Sequence, residues 1–249
     1  ETTASTSMSL QSARSQQEGF LWSQPNYTLH SAASNDEHWP LLWGLRNDGS
    51  NYENPGYQDD SMQGATGIDI RAEEAWQTQP DAAGVVVAVI DSGVDVSHPD
   101  LREAIWVNAD EIPGNGLDDD NNGYIDDVNG WGFVHNGPTW DGQAHGTHCA
   151  GTIAATGNNH QGIIGVAPGA KIMPLQFING DQGGDTAAAV RAIEYAVANG
   201  ARISNNSWGS QGYDPAIAEV MQQAAAQGHL MIVAAGNHGG ACEFPANLD

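Results

Sequence analysis

Residues 84–90 read Gly-Val-Val-Val-Ala-Val-Ile, and the run stops at Asp91. An apolar stretch rich in β-branched side chains, with no polar face to turn towards water, predicts a short strand covered on both sides. Residues 170–178 (AKIMPLQFI), 201–208 (ARISNNSW) and 229–236 (HLMIVAAG) read as further strands. Helical patterns separate them. Residues 144–156 (AHGTHCAGTIAAT) carry small residues at helical spacing. Residues 185–200 have Asp185 or Thr186 to cap the start and Gly200 to end the run, and 214–228 open with Asp214 as cap and Pro215 in the first turn. Strand–helix–strand alternation implies right-handed crossovers and a mostly parallel sheet with helices on both faces, a three-layer α/β fold. In such sheets functional groups gather at the carboxyl ends of the strands. No internal repeat is visible.

The 249 residues suit one α/β domain of ordinary size, and no stretch approaches the roughly 20 consecutive apolar residues of a membrane span. Only 7 Lys and Arg stand against 31 Asp and Glu, a formal net charge of -24, and Lys171 is the only lysine. That balance argues against nucleic acid, whose phosphates need basic side chains. The acid fits a solvated, mutually repelling surface, a calcium site or a salty habitat. Cys149 and Cys242 allow one disulfide, which sequence does not decide. Residues 1–19 are rich in Ser, Thr and Gln, the composition of a poorly ordered segment, and lack the apolar core of a signal peptide. A chain that begins at Glu1 rather than Met reads as a processed or trimmed piece.

The predicted strand ends carry the chemistry. Asp91 is the first polar residue after 84–90, Asn237 follows 229–236, and Ser207-Trp208-Gly209 follows Asn206. An aspartate at such a place also serves simply to cap a turn. His145 opens a helix on the same side. Three readings meet at HGTHCA. A zinc site on His145 and His148 needs three or four ligands, and the glutamate of an H-E-x-x-H pattern is missing. Cys149, four residues after His145, shares its helical face, but that spacing is poor for attack, and cysteine commonly serves as a small buried hydrophobe. The third reading is a serine hydrolase using Asp91 and His145.

Residues 116–127 (GLDDDNNGYIDD) are the densest run of oxygen ligands. Asp118, Asp120 and Asn122 alternate, Gly123 turns the chain and Tyr124 offers a carbonyl, as in the opening of an EF-hand loop. Asn129 stands at the twelfth position, where a bidentate glutamate is usual, so Asp126 or Asp127 must close a calcium site. An acidic solvated turn is the plainer alternative.

VIDSGVDVSHPDL (89–101), HGTHCAGTIAA (145–155) and AAGN (234–237) occur in that order, each at the end or start of the appropriate element. From about Asn35 onward the chain resembles the subtilisin-like serine proteases. The resemblance implies that Asp91 orients the imidazole, His145 is the general base and Asn237 supplies the oxyanion amide, while His148 is structural. It implies that Ser207, Trp208 and Gly209 pair with the substrate backbone and that Gly183 and Gly184 form the opposite edge, clamping an extended peptide by β-augmentation. A flexible loop is the alternative for the two glycines. A second calcium site follows from the resemblance alone, at Asp36, Asp100 and Asn158, the last in a loop (156–165) that carries an extra residue relative to the family's pattern.

The family's nucleophile, a serine in a GTSMA-like motif, has no counterpart here; Ser92 and Ser207 match positions that are not nucleophilic. The expectation is therefore a fragment, inactive by itself: residues 1–33 as the tail of an inhibitory prodomain and 34–249 as the amino-terminal part of a catalytic domain. Residues 24–30 (QPNYTLH) would be the last prodomain strand, with processing between Ser31 and Ser34. An amino-terminal extension of no special role is the alternative. The implied partners are protein or peptide substrates and the protein's own prodomain, the implied state a secreted monomer. The rival is a catalytically inactive calcium-binding scaffold or peptide-binding module on the same fold.

Overall fold

A computed structural model describes residues 34–49, 65–138 and 142–248. The predicted prodomain tail and processing point fall on residues outside these. Among the described residues five strands form one sheet: β1 (Val86–Asp91), β2 (Trp131–Gly132), β3 (Lys171–Gln176), β4 (Ile203–Asn206) and β5 (Leu230–Val233), in the order β2-β3-β1-β4-β5. Every pairing is parallel, so all carboxyl ends meet along one side. The described residues also form helices α1 (Ala72–Thr78), α2 (Ala144–Ala154), α3 (Thr186–Ala198) and α4 (Pro215–Ala226), with short 3-10 turns at Trp39–Leu41 and Gly180–Gln182.

The apolar run of β1 is explained by two cores, one on each face of the sheet. Ala88 and Ile90 pack with Met173, Leu175 and the α3 residues Ala189 and Ile193. Val87 and Val89 pack with Ile172 and the α2 residues Ala150 and Ala154. A third cluster joins Trp39, Leu45, Ala72 and Ile164.

The helix boundaries follow the predicted caps. The Asp185 carboxylate accepts the Ala188 N–H at 2.7 Å, so Asp185 is the cap and Thr186 the first helical residue. Asp214 caps α4 through the N–H groups of Ala216 and Ile217. The Thr186 hydroxyl donates to Asp214 Oδ2 at 2.5 Å, which joins the two helix starts. Gly200, at φ 79, ends α3, with Gly200 N–H on Val197 O and Ala201 N–H on Ala196 O.

Three predicted strands end earlier than expected, β3 among them, at Gln176. β4 stops at Asn206, the last residue paired with β5, one residue after its ladder to β1 ends, leaving Ser207 and Trp208 beyond the sheet. β5 stops at Val233. β5 is an edge strand, and Leu230 and Ile232 are 55% and 50% exposed, since no described element covers that side. β2 and α1 are too short for a periodic pattern to announce. No described helix is long and apolar enough to cross a membrane.

Candidate active site

β1 delivers Asp91 to the carboxyl edge of the sheet, where it is fully buried. α2 opens there, with His145 as its second residue. His145 Nδ1 lies 2.7 Å from Asp91 Oδ1, which also accepts the Ser92 N–H at 2.6 Å. Asp91 Oδ2 is buried without a hydrogen-bond partner among the described residues. The His145 side chain is 60% exposed. A carboxylate acceptor on Nδ1 selects the tautomer with the proton on that nitrogen and leaves the Nε2 lone pair available. Among the described residues, no hydroxyl is hydrogen-bonded to Nε2. Such a pair can accept a proton at Nε2 from a hydroxyl placed beside it.

The approach of α2 to β1 depends on Gly146. A Cβ there would lie 2.2 Å from Gly93 O and 3.3 Å from Asp91 Cβ. The Gly146 N–H donates to Ser92 Oγ at 3.2 Å, tying the helix start to the strand exit. A larger residue would push His145 away from its carboxylate.

Cys149 stands one turn further along α2. One donor atom each from Asp91, His145 and Cys149 all lie within 4.8 Å of one another. The cysteine is therefore beside the pair rather than merely in the core, a placement the sequence reading undervalued. Burial pushes its thiol pKa up, the opposite of what a nucleophilic thiolate needs, and its Sγ donates towards Ser207 Oγ at 3.7 Å. His148 is exposed and belongs to no such cluster among the described residues.

Ser207, Trp208 and Gly209 leave β4 on the same edge. Ser207 Oγ accepts from Asn205 Nδ2 at 3.0 Å. No main-chain hydrogen bond reaches these three residues among the described ones, so their backbone groups are open to pairing. On the neighbouring strip the Asn179 N–H donates to Gly183 O at 3.0 Å, closing the turn that leads to Gly184. Phe177 lies between the strips: its ring meets Trp208 edge-on at 5.0 Å and touches the Gly184 backbone. Asn237 is exposed in the segment after β5, without a hydrogen bond to Asp91 or His145 among the described residues.

The acidic loop folds more selectively than its sequence suggests. Oxygens of Glu111, Asp120 and Asp127 lie within 4.8 Å of one another. Glu111 and Asp127 are buried, and Glu111 Oε2 has no hydrogen-bond partner among the described residues. Asn108 Nδ2 donates to Asp120 and Asp127, both at 3.0 Å, and Asn122 Nδ2 to the same two carboxylates, both at 2.9 Å. Tyr195 on α3 donates to Asp127 Oδ2 at 2.5 Å; burial, then the bond to Asp127, pushes its phenol pKa far up. Asp118 caps the turn through the Asn122 and Gly123 N–H groups. Asp126 accepts the N–H groups of Gly114, Asn115 and Gly116, so it faces the loop and Asp127 faces the cluster. The Tyr124 ring packs edge-on against Trp131 and Tyr195, both at 5.0 Å. Three convergent carboxylates with a buried free oxygen suit a hard, oxygen-seeking cation such as calcium. Glu111 escaped the sequence reading because it lies outside the alternating run, seven residues before Asp118.

Asp36, Asp100 and Asn158 also come to one place. Asp36 accepts the N–H groups of Asn158 and Asn159, both at 2.9 Å, while Asn159 Nδ2 donates to Asp100 Oδ1 at 2.7 Å. Asn158 Oδ1 accepts the Asn35 N–H at 3.4 Å.

Comparison with known proteins agrees with this arrangement. Residues 82–249 match the Peptidase_S8 subtilase family. The chain is 33% identical to Subtilisin-like protease 1 of Plasmodium berghei over 206 residues, 81% of this chain and 34% of that protein. It is 32% identical to thermitase of Thermoactinomyces vulgaris over 179 residues, 71% of this chain and 56% of that protein. The crystal structure of fervidolysin from Fervidobacterium pennivorans, described as a keratinolytic enzyme related to subtilisin, superposes with a TM-score of 0.60 at 27% identity, covering 90% of this chain and 29% of that one. The chain thus spans between about a third and just over half of the length of these relatives. With its parallel sheet, its Asp91–His145 pair and these matches, the chain belongs to the subtilase family.

Proposed function

We propose that this chain is the portion of a secreted serine endopeptidase that carries the orienting acid, the general base and the oxyanion amide, and that the nucleophilic serine comes from sequence beyond residue 249. The observation that carries the reading is the 2.7 Å contact of His145 Nδ1 with buried Asp91, which leaves Nε2 uncommitted at the carboxyl edge of the sheet. In this mechanism Nε2 takes the serine proton as the hydroxyl attacks the scissile carbonyl. Buried Asp91 then stabilises the imidazolium, and the same proton passes to the leaving amine. Asn237 donates to the developing oxyanion, an interaction whose loss typically costs about 10²–10³ in turnover. The open backbone of Ser207–Gly209 supports pairing with an extended protein or peptide substrate, with Gly183 and Gly184 on the other side. The N-terminal segment is read as the tail of the protein's own prodomain.

A calcium ion is proposed for Asp118, Asp120, Asn122, Tyr124 and Asp127, with Glu111 added; its chemistry here is to neutralise converging carboxylates and hold the loop against α3. Asp126 is left out of this set because three N–H groups already occupy it. Asp36, Asp100 and Asn158 form the second proposed position.

Labelling with a fluorophosphonate, read by intact mass, tests the reading on this chain and on a longer protein containing it. Labelling of the longer protein alone, at a serine beyond Asp249, is expected. Labelling of the short chain would place the nucleophile among these residues. Labelling of neither would replace the protease by an inactive calcium-binding or peptide-binding scaffold.

A further inference from the structure

Glu243 lies in the segment after β5, stitched between two runs of chain. Its N–H donates to Ala235 O at 3.0 Å, and the next residue, Phe244, exchanges two main-chain bonds with Ser210, of 2.8 and 3.1 Å. One run is therefore Trp208–Ser210, the proposed substrate edge, and the other is Ala235–Gly236, which leads directly into Asn237. Both turn a glycine towards Glu243. A Cβ on Gly236 would come within 2.7 Å of Glu243 Cδ, and one on Gly209 within 3.4 Å of its Oε2. Gly236 also has φ 102, a conformation that side chains disfavour. The carboxylate thus fills a recess walled by two glycines, with its side chain only 20% exposed. Its side-chain partner among the described residues is His238, whose Nδ1 lies 2.5 Å away and whose side chain is 75% exposed. His238 can swing into solvent without opening a buried space.

The recess lies close to the proposed chemistry. Cys149 has its Sγ within 4.8 Å of Asp91 and His145 donor atoms and 3.7 Å from Ser207 Oγ. Gly209 is two residues further, at most roughly 7 Å along an extended chain. The scissile carbonyl oxygen that meets Asn237 belongs to the residue on the acyl side of the cleaved bond. That residue's side chain starts one atom from the carbonyl, so it begins within reach of Gly236, which precedes Asn237. A lysine or arginine there spans the gap with its apolar stem and sets its charged head on the carboxylate. An apolar side chain would instead bury the carboxylate without a cationic partner, at a desolvation cost. The net charge of -24 attracts cationic substrates at longer range.

We propose that Glu243 is a specificity-determining residue, selecting lysine or arginine on the acyl side of the cleaved bond. The inference rests on the protease reading above. The experiment measures kcat/KM of the longer protein on matched peptides with Arg, Lys or Leu at that position, before and after Glu243→Gln. The expected result is a preference for Arg and Lys, with Glu243→Gln lowering the Arg value by about 10- to 100-fold, the range of a lost charge-assisted hydrogen bond, and sparing Leu. Glu243→Asp should keep part of the preference. A protein that cuts after Leu at least as well as after Arg overturns the inference while the protease reading stands, and this ranking needs no variant to fold. Cleavage of no peptide overturns the protease reading, and this inference with it.

Discussion

Asp91 has no freedom to be anything else. It is fully buried, one oxygen serves His145 and Ser92, and the other has no hydrogen-bond partner among the described residues. Asp91→Asn can keep the contact but presents the imidazole with the wrong tautomer. In the longer protein it should lower kcat by about 10⁴, as in the general triad case, while circular dichroism stays unchanged. Gly146→Ala drives a methyl to within 2.2 Å of Gly93 O. It should cost about 1–3 kcal/mol in urea unfolding, and an unchanged midpoint would show that α2 has room to shift. Cys149 is half-buried with its thiol pKa raised by burial, whereas Cys242 is exposed. Iodoacetamide at neutral pH should therefore modify Cys242 first, as peptide mapping after short exposure would reveal.

At the scale of elements, one contact links the starts of α3 and α4, each of which has its own aspartate cap. The Thr186 hydroxyl, followed by the Ile217 and Ala216 N–H groups, holds the Asp214 carboxyl below the usual carboxylate range. A carboxyl depressed in the folded state stabilises it above the unfolded pKa of about 3.9, and that contribution fades as pH falls through the lower folded value. Asp214→Asn should lower the melting temperature at pH 6, and the gap to the parent should close below about pH 4. A gap that is constant with pH would assign the effect to packing. The caps themselves were legible, because Asp214 before Pro215 and Gly200 after an alanine-rich run are local signals. The exact strand ends were not, because Asn206 ends β4 where its pairing with Val233 of β5 ends, although β1 itself continues to Asp91.

Across the whole molecule, the acidic loop links the surface to α3 through Asp127 and Tyr195. Chelation with EGTA should lower the melting temperature. Saturating calcium at 100 times its Kd corresponds to about 2.7 kcal/mol. Glu111→Gln should weaken this calcium dependence, and a melting curve indifferent to both calcium and Glu111→Gln would reduce the loop to an acidic turn. The same loop shows the limit of reading along the chain: Asp126 and Asp127 are neighbours of identical chemistry, yet one meets three backbone N–H groups and the other meets Glu111 and Asp120.

The α/β class, the helix caps, and Asp91 and His145 at the edge where they meet were legible along the chain. Each of these rests on short-range chemistry: a β-branched run needs cover on both faces, and a polar residue placed at its end must lie at the sheet margin. Which carboxylates converge, the place of Cys149 beside the Asp91–His145 pair, and the position of Glu243 between Gly209 and Gly236 emerged from the folded chain. Those placements depend on chain segments far apart in sequence, joined by register and close backbone approach, and neither leaves a periodic trace in the residues themselves.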